Sequence, residues 1–156
     1  MRHLSKAFSL VELLVAVSLL GILAAVAIPT FSSAIRNSKT DTEVSDLQRA
    51  LNFTRLEAIN RGVNVQLRPT TDNAAWNTDL KVVLSPYSSS SVPLRIVAGM
   101  SSGATVTAPN VTYIEFNNLG GLATPGTSFS MAYALGSNTR TLNVCLNGRI
   151  VLGGGC

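Results

Sequence analysis

Residues 8–28 read FSLVELLVAVSLLGILAAVAI, and this run contains a single ionisable side chain, Glu12. A helix of this length spans about 30 Å, which is the thickness of the hydrocarbon core of a bilayer. Arg2 and Lys6 precede the run, and positive charge on a short flank favours the cytoplasmic side of a membrane. The sequence therefore predicts one membrane-spanning helix over residues 8–28, with the remainder of the chain across the membrane.

The composition sets limits on what the remainder can do. The chain has 156 residues, of which 46% are hydrophobic and 13% are charged. This length suits one domain with an appendage, and the low charge excludes extended disorder. The only histidine is His3, so neither a histidine-based catalytic triad nor a site with several histidine ligands can be assembled. No paired carboxylates stand out either. The sequence therefore predicts no catalytic, metal or cofactor site, and an enzyme is not expected.

A secretory signal peptide is the alternative explanation of the apolar run, because Ala25-Val26-Ala27 reads as a cleavage site. Glu12 argues against it, since a carboxylate at the head of a lipid-embedded helix is costly unless it is paired. The residues around it resemble the processing site of type IV pilins and pseudopilins: Lys6-Ala7-Phe8-Ser9-Leu10-Val11-Glu12. This resemblance favours a pilin-type N-terminus over a signal peptide.

The resemblance implies a processing event and an assembly contact. A prepilin peptidase is expected to cut between Ala7 and Phe8 on the cytoplasmic side, and Phe8 then becomes N-methylated. Glu12 is expected to pair with the N-terminal amine of a neighbouring subunit. The residue before the cut is usually glycine in the family, whereas this chain has the small residue Ala7.

The helix is expected to continue beyond Pro29. Apolar residues recur at helical spacing and charged residues lie largely between them, which is typical of a helix packed on its own domain. The recurring residues are Ile35, Val44, Leu47, Leu51 and Ala58, and Phe53, Leu56 and Ile59 are expected to widen this face. Arg61-Gly62 forms a typical helix stop. We therefore predict four segments: a leader at 1–7, a transmembrane segment at 8–28, an amphipathic continuation at 29–62 and a periplasmic β domain at 63–156.

After Gly62 the pattern becomes alternating, which is typical of strands. Strands are predicted at residues 63–67, 80–84, 92–97, 104–107, 111–116, 128–135, 139–146 and 149–152, separated by turn-forming clusters. One helix followed by many short strands predicts an α+β fold with antiparallel sheets.

Three later motifs resemble the GspH/FimT family, which contains pseudopilin H of type II secretion and the FimT-like minor pilins. They are the helix end and first strand around Arg55 and Arg61-Gly62, the glycine turn at residues 114–121, and the closing hairpin Asn147-Gly148-Arg149-Ile150. The resemblance implies a long N-terminal helix packed on antiparallel sheets arranged as a sandwich.

Cys145 and Cys156 suit an oxidising compartment. If Asn147-Gly148 forms a two-residue turn, Cys145 faces Ile150, and Val151 faces Val144 in the core. Cys156 then reaches Cys145 only if the chain doubles back after Leu152, which the three glycines 153–155 permit. A disulfide closing the C-terminus is the favoured interpretation, and free thiols are the alternative.

The basic residues of the C-terminal half suggest DNA as a ligand. FimT-like pilins of naturally transformable bacteria bind DNA through a Gly-Arg-x-Arg motif, and the corresponding residues here begin at Gly148-Arg149 but place Val151 at the second arginine. The resemblance makes Arg149 a candidate DNA contact, with Arg140 or Arg95. The alternative is that Arg149 is a solvated residue of a hairpin turn.

Three functions follow from these observations. The first is a minor pilin of a type IV pilus, the second is pseudopilin H, and the third is a DNA receptor acting through the pilus. The expected partners are other pilins or pseudopilins, prepilin peptidase, the inner membrane and, for the third function, DNA. The expected location is the inner membrane with the C-terminal domain in the periplasm, followed by the filament.

Overall fold

The computed structural model describes residues 9–101, 103–108 and 110–156. The chain divides into two compact units, Met1–Asn37 and Ser38–Cys156. Helix α1 (Leu10–Arg61) begins in the first unit and ends in the second. In the described part of the second unit it is followed by nine strands: β1 (Val65–Pro69), β2 (Leu80–Leu84), β3 (Arg95–Val97), β4 (Ala104–Thr107), β5 (Ile114–Phe116), β6 (Leu122–Thr124), β7 (Phe129–Leu135), β8 (Asn138–Val144) and β9 (Ile150–Leu152).

The strands form two sheets in which every pair is antiparallel. Sheet A has the order β3-β2-β1-β5-β6, and sheet B has the order β4-β7-β8-β9. One long helix followed by two antiparallel sheets confirms the predicted fold class. β3 and β6 are the edges of sheet A, and β4 and β9 are those of sheet B.

The second unit has one core, to which the helix and both sheets contribute. Leu51 comes from α1, Leu67 and Phe116 from sheet A, and Met131 and Leu142 from sheet B. Burial of such side chains is the main favourable contribution to folding, at roughly 25 cal/mol per Å² of apolar surface. The buried apolar residues of both sheets therefore share this core with the helix.

The helix buries a narrower face than the sequence indicated. Val44, Leu47, Leu51 and Ala58 are buried as predicted. Leu56 is 55% exposed and Ile59 is 42% exposed, so the expectation that they widen the buried face was wrong. They lie beside, and not on, the stripe of residues at spacings of three and four that faces the sheets.

The end of the helix and most strands follow the predicted pattern. The helix ends at Arg61, and Gly62 has a positive φ of 67°. β2 and β4 have the predicted bounds. β6 was not predicted, because it is three residues long and lies between Gly121 and Pro125, where alternation is too short to read.

Candidate functional site

The N-terminal end of the described chain is an exposed apolar helix. Its large apolar side chains stay exposed, from Leu10 at 76% to Leu23 at 66%. α1 is the one helix in the described residues that is long and apolar enough to cross a membrane. Such a segment needs a lipid or protein environment to cover it. Ala7 and Phe8, the predicted processing residues, lie outside the described residues.

Glu12 lies in the first turn of α1. Its backbone N–H donates to Ser9 Oγ at 3.2 Å, and the Ser9 N–H donates to Glu12 Oε2 at 3.5 Å. This reciprocal pair is a capping box, in which each side chain binds an unpaired N–H at the helix start. The Ser9-x-x-Glu12 spacing is visible in the sequence, so this role could have been predicted. The predicted pairing of Glu12 with a neighbouring subunit stays a prediction.

The three candidate DNA-contact arginines have different environments. Arg140 forms an ion pair with Asp41, with its Nη2 2.8 Å from Oδ1. The guanidinium of Arg95, in sheet A, lies over the ring of Phe53 at 5.0 Å. Arg149 is exposed and donates to the carbonyl of Gly155 at 3.3 Å. The structure therefore gives Arg140 a structural partner and leaves Arg149 in solvent.

The arginines also lie at different heights along the domain. Arg140 contacts α1 at Asp41, whereas the hairpin that carries Arg149 contacts α1 at Gln48, through the Ile150 carbonyl, and at Arg55. Gln48 and Arg55 lie about 10.5 Å and about 21 Å from Asp41 along the helix, at 1.5 Å per residue. Arg140 and the Arg149 hairpin therefore do not share one contact point on the helix.

The register of the C-terminal hairpin differs from the prediction. Val144 pairs with Ile150, and Asn143 pairs with Val151. The Cys145 N–H donates to the Arg149 carbonyl, which leaves a three-residue loop, Leu146-Asn147-Gly148, with Gly148 at φ 77°. A residue in this left-handed conformation is typical of three-residue hairpin loops. The predicted two-residue turn was wrong, and so was the core position of Val151, which is half-buried.

The glycine of this hairpin is fixed by a close contact between three motifs. A Cβ at Gly148 would lie 1.8 Å from the carbonyl oxygen of Gly120 and 2.9 Å from Arg55 Nε. Arg55 Nε itself donates to that same carbonyl at 2.9 Å. The helix end, the glycine turn and the closing hairpin therefore meet in space. Gly148 is needed for packing, which explains the glycine of this Gly-Arg hairpin without any ligand.

The two cysteines form the predicted disulfide. Cys145 and Cys156 are joined with their Cα atoms 5.4 Å apart. The chain turns back after Leu152, where Gly153 has φ 68° and its N–H donates to the carbonyl of Thr141. The side chain of Asn143 then donates to the carbonyl of Gly154. The C-terminal tail is therefore held on the outer face of sheet B.

Two polar clusters were not predicted. Glu43 of α1 accepts hydrogen bonds from the N–H and hydroxyl of Ser101 and from the Tyr133 hydroxyl at 2.6 Å. Glu115 is buried on β5 and accepts from Asn64 and Gln66 of the neighbouring chain segment, both at 2.6 Å. Their partners are far away in the sequence, so no local pattern could reveal them. Within the described ranges, no three His, Cys, Asp or Glu side chains are grouped as a metal site requires.

Residues 43–149 match the family described as "Type II transport protein GspH". This chain belongs to the GspH family. Residues 2–28 of this GspH-family chain match the prokaryotic N-terminal methylation motif. The two matches together cover residues 2–28 and 43–149 of the chain. No curated protein matches it.

Solved structures with the same fold come from both systems. The type IV minor pilin FimU of Pseudomonas aeruginosa is 22% identical, with a TM-score of 0.66 over 76% of this GspH-family chain and 90% of FimU. A second crystal form of FimU is 24% identical, with a TM-score of 0.63 over 73% of this chain and 92% of FimU. The minor pseudopilin EpsH from the Type 2 Secretion System of Vibrio cholerae is 12% identical, with a TM-score of 0.55 over 73% of this chain and 95% of EpsH. These likenesses concern the fold.

Proposed function

We propose that this protein is a minor pilin of a type IV pilus. The observation that carries the proposal is the match of residues 2–28 to the methylation motif, in the part of α1 whose large apolar side chains are exposed, from Leu10 to Leu23. In this proposal, peptidase cleavage between Ala7 and Phe8 removes the leader 1–7. Residues 8–28 then hold the subunit in the inner membrane until they pack among other helices in the filament.

The orientation follows from the charges at the N-terminus. Arg2 and Lys6 stay in the cytoplasm, so the amphipathic continuation 29–62 and the β domain 63–156 are in the periplasm. The Cys145–Cys156 disulfide supports this side, because disulfides persist in oxidising compartments. In this orientation the exposed apolar part of the helix lies in the membrane, and the domain closed by the disulfide lies in an oxidising compartment.

Pseudopilin H of a type II secretion system is the alternative with the same mechanics. We favour the pilus because pilins often carry a C-terminal disulfide loop, and this chain closes its C-terminus with one.

The mass of the mature chain tests the proposal. Purified from membranes, the protein should begin at Phe8 and carry one additional methyl group, and a strain without prepilin peptidase should retain the leader. A mature chain beginning at Ile28 would support a secreted protein instead. If the protein is a minor pilin, deleting the gene should reduce the number of surface pili and leave exoprotein secretion unchanged. The opposite pattern would support pseudopilin H.

DNA binding is the lower-ranked proposal, and the exposed guanidinium of Arg149 is the observation that favours it. The full chain in detergent micelles should then retard duplex DNA at low salt, and the retardation should fall steeply as salt rises, because counterion release drives such binding. Arg149→Ala should weaken retardation, and Arg140→Ala is the matched control with an ion-paired arginine. Equal retardation by all three proteins would refute a role for Arg149.

A further inference from the structure

A cleft of about 420 Å³ opens between α1 and the edge strand β3. The helix contributes Glu43, Asp46 and Leu47, which share one face because they are three and four residues apart. The opposite wall is the continuous segment 95–100, and Trp76 and Leu80 also line the cleft. A volume in this range accommodates a bound ligand or a short chain segment.

The wall formed by β3 is the open edge of sheet A. β3 pairs only with β2, so the backbone groups on its other side have no partner strand. Each of the other three edge strands is different, because the first residue of the strand forms a hydrogen bond with a group outside its own sheet ladder. These bonds join Asn77 to the Ala104 carbonyl at β4, Leu122 to the Leu146 carbonyl at β6, and Gln48 to the Ile150 carbonyl at β9.

Across residues 9–101, 103–108 and 110–156, no bond from outside sheet A reaches β3 in this way. Its side chains are also accessible: Arg95 is exposed, and Ile96 is 59% exposed. β3 therefore presents a backbone edge beside a cleft, which is the arrangement that binds an added strand.

The charges of the cleft define the occupant further. Asp46 is ion-paired with Arg49 at 2.7 Å, and Glu43 accepts hydrogen bonds from Ser101 and Tyr133. Arg95 lies over Phe53 and has no acidic partner among the described residues. Arg95 is therefore the cation of the cleft lining that is left for an acidic group of a ligand, while Leu47, Trp76 and Leu80 offer apolar surface.

We propose that this cleft binds an extended peptide segment of a partner protein as an additional strand on β3. Alternate side chains of that segment are apolar and face the helix, and one carboxylate pairs with Arg95. Backbone hydrogen bonds to the sheet edge supply affinity, and the cleft and Arg95 supply specificity. This inference goes beyond the proposed function, since it does not depend on whether the filament is a pilus or a pseudopilus.

The probe for this proposal is a panel of fluorescein-labelled heptapeptides. Valine, isoleucine or leucine occupies alternate positions, and threonine occupies the others except for one glutamate, which is moved along the chain from peptide to peptide. Binding to the full chain in detergent micelles is followed by fluorescence anisotropy. At least one peptide should bind, and hydrogen exchange of the β3 segment should slow in its presence.

Two matched controls separate strand addition from other contacts. The same peptide with alternate amide nitrogens methylated keeps its side chains but cannot pair with an edge, so its affinity should fall at least about tenfold. Arg95→Glu should lower the affinity for the peptide with glutamate about tenfold. It should raise the affinity for the same peptide with lysine in place of glutamate, because the charge pair is reversed. Arg149→Glu makes the same change in the hairpin before β9 and should leave the affinity for the peptide unchanged. Unchanged thermal unfolding, followed by Trp76 fluorescence, shows that each variant is folded.

Three results of the peptide experiments would overturn the proposal. They are the failure of every peptide to bind, equal affinity of the methylated peptide, and equal effects of Arg95→Glu and Arg149→Glu. If light scattering instead shows a dimer of the wild-type chain that Arg95→Glu dissociates, the occupant is a second copy and the partner-peptide proposal is wrong.

Discussion

Glu43 joins the helix to both the loop before β4 and to sheet B through a single carboxylate. Oε1 accepts from Ser101, and Oε2 accepts from the Tyr133 hydroxyl. Burial raises the pKa of Glu43, but the hydrogen bonds from Ser101 and Tyr133 and the charge of Lys39 outweigh this effect and hold the pKa below its ordinary value of 4.5. Burial and the neighbouring Glu43 raise the pKa of Tyr133, which therefore stays protonated as a donor.

This carboxylate predicts a pH-dependent stability. Because the pKa of Glu43 is lower in the folded chain, its ionised form stabilises the fold fully above 4.5, and this contribution is lost as the pH falls through the folded-state pKa. Glu43→Gln should therefore cost about 1–2 kcal/mol at pH 7 and progressively less below pH 4.5. Denaturant unfolding followed by Trp76 fluorescence measures this difference.

Glu57→Gln is the matched control, because Glu57 pairs with Arg61 at the surface and such pairs contribute little. A Glu43→Gln cost that stays constant down to pH 3 would contradict the assigned role of its charge.

Gly148 gives a second prediction about a single residue. Gly148→Ala places a Cβ within 1.8 Å of the Gly120 carbonyl oxygen, so the hairpin and the glycine turn must separate. We expect a loss of about 3 kcal/mol or more in the free energy of unfolding, since strain and a broken contact act together. The same denaturant titration measures it.

Gly136→Ala is the comparison that isolates the backbone. Gly136 also has a positive φ, of 61°, but a Cβ there meets nothing within 4 Å. Its substitution should cost only about 1 kcal/mol, from the left-handed conformation. Equal costs at both positions would show that the contact between the three motifs contributes nothing.

The β8–β9 hairpin shows where an element could be predicted and where it could not. Asn147-Gly148 identified the turn and alternation identified both strands, because these signals are local. The length of the loop was not readable, since two-residue and three-residue loops both use a glycine with positive φ. A shift of one residue moves every side chain of a strand to the other face. Val151 was therefore assigned to the core and lies on the outer face beside Asn143.

The register predicts opposite effects for two neighbouring residues. Val151→Arg should change the free energy of unfolding by about 0.5 kcal/mol or less, because a long side chain on the outer face reaches solvent. Ile150→Arg should cost about 3 kcal/mol or more, because Ile150 is 9% exposed and faces the core. Thermal unfolding compares the two variants directly. A larger loss of stability for Val151→Arg than for Ile150→Arg would support the two-residue turn instead.

At the scale of the whole molecule, the sequence predicted the helix and the strands better than the contacts that join them. The apolar run, the helix end at Arg61 and the alternating strands determined the α+β fold, because each depends on neighbouring residues. The contacts of Glu43 with Ser101 and Tyr133 join residues 58 and 90 positions apart. The open edge of β3 depends on the order of strands in sheet A, which alternation alone does not specify.

Glu12 has a local role in the helix cap and a predicted role in assembly, and one pair of variants can separate them. Within the chain its side chain completes the capping box with Ser9. Glutamine also serves at that capping position, so Glu12→Gln keeps the helix start and removes only the charge. Ser9→Ala does the reverse, because it removes the side-chain cap and keeps the carboxylate.

If the charge of Glu12 pairs with the N-terminal amine of a neighbouring subunit, Glu12→Gln should insert normally into the membrane, where a neutral side chain is better tolerated. It should then be depleted from sheared filaments by about tenfold or more, since an amine left without its partner in a dry helix bundle is costly. Ser9→Ala should enter filaments at the wild-type level. The ratio of filament to membrane protein, determined by immunoblotting, provides the measurement. Equal depletion of both variants would assign the defect to the helix cap, and normal incorporation of Glu12→Gln would refute the pairing.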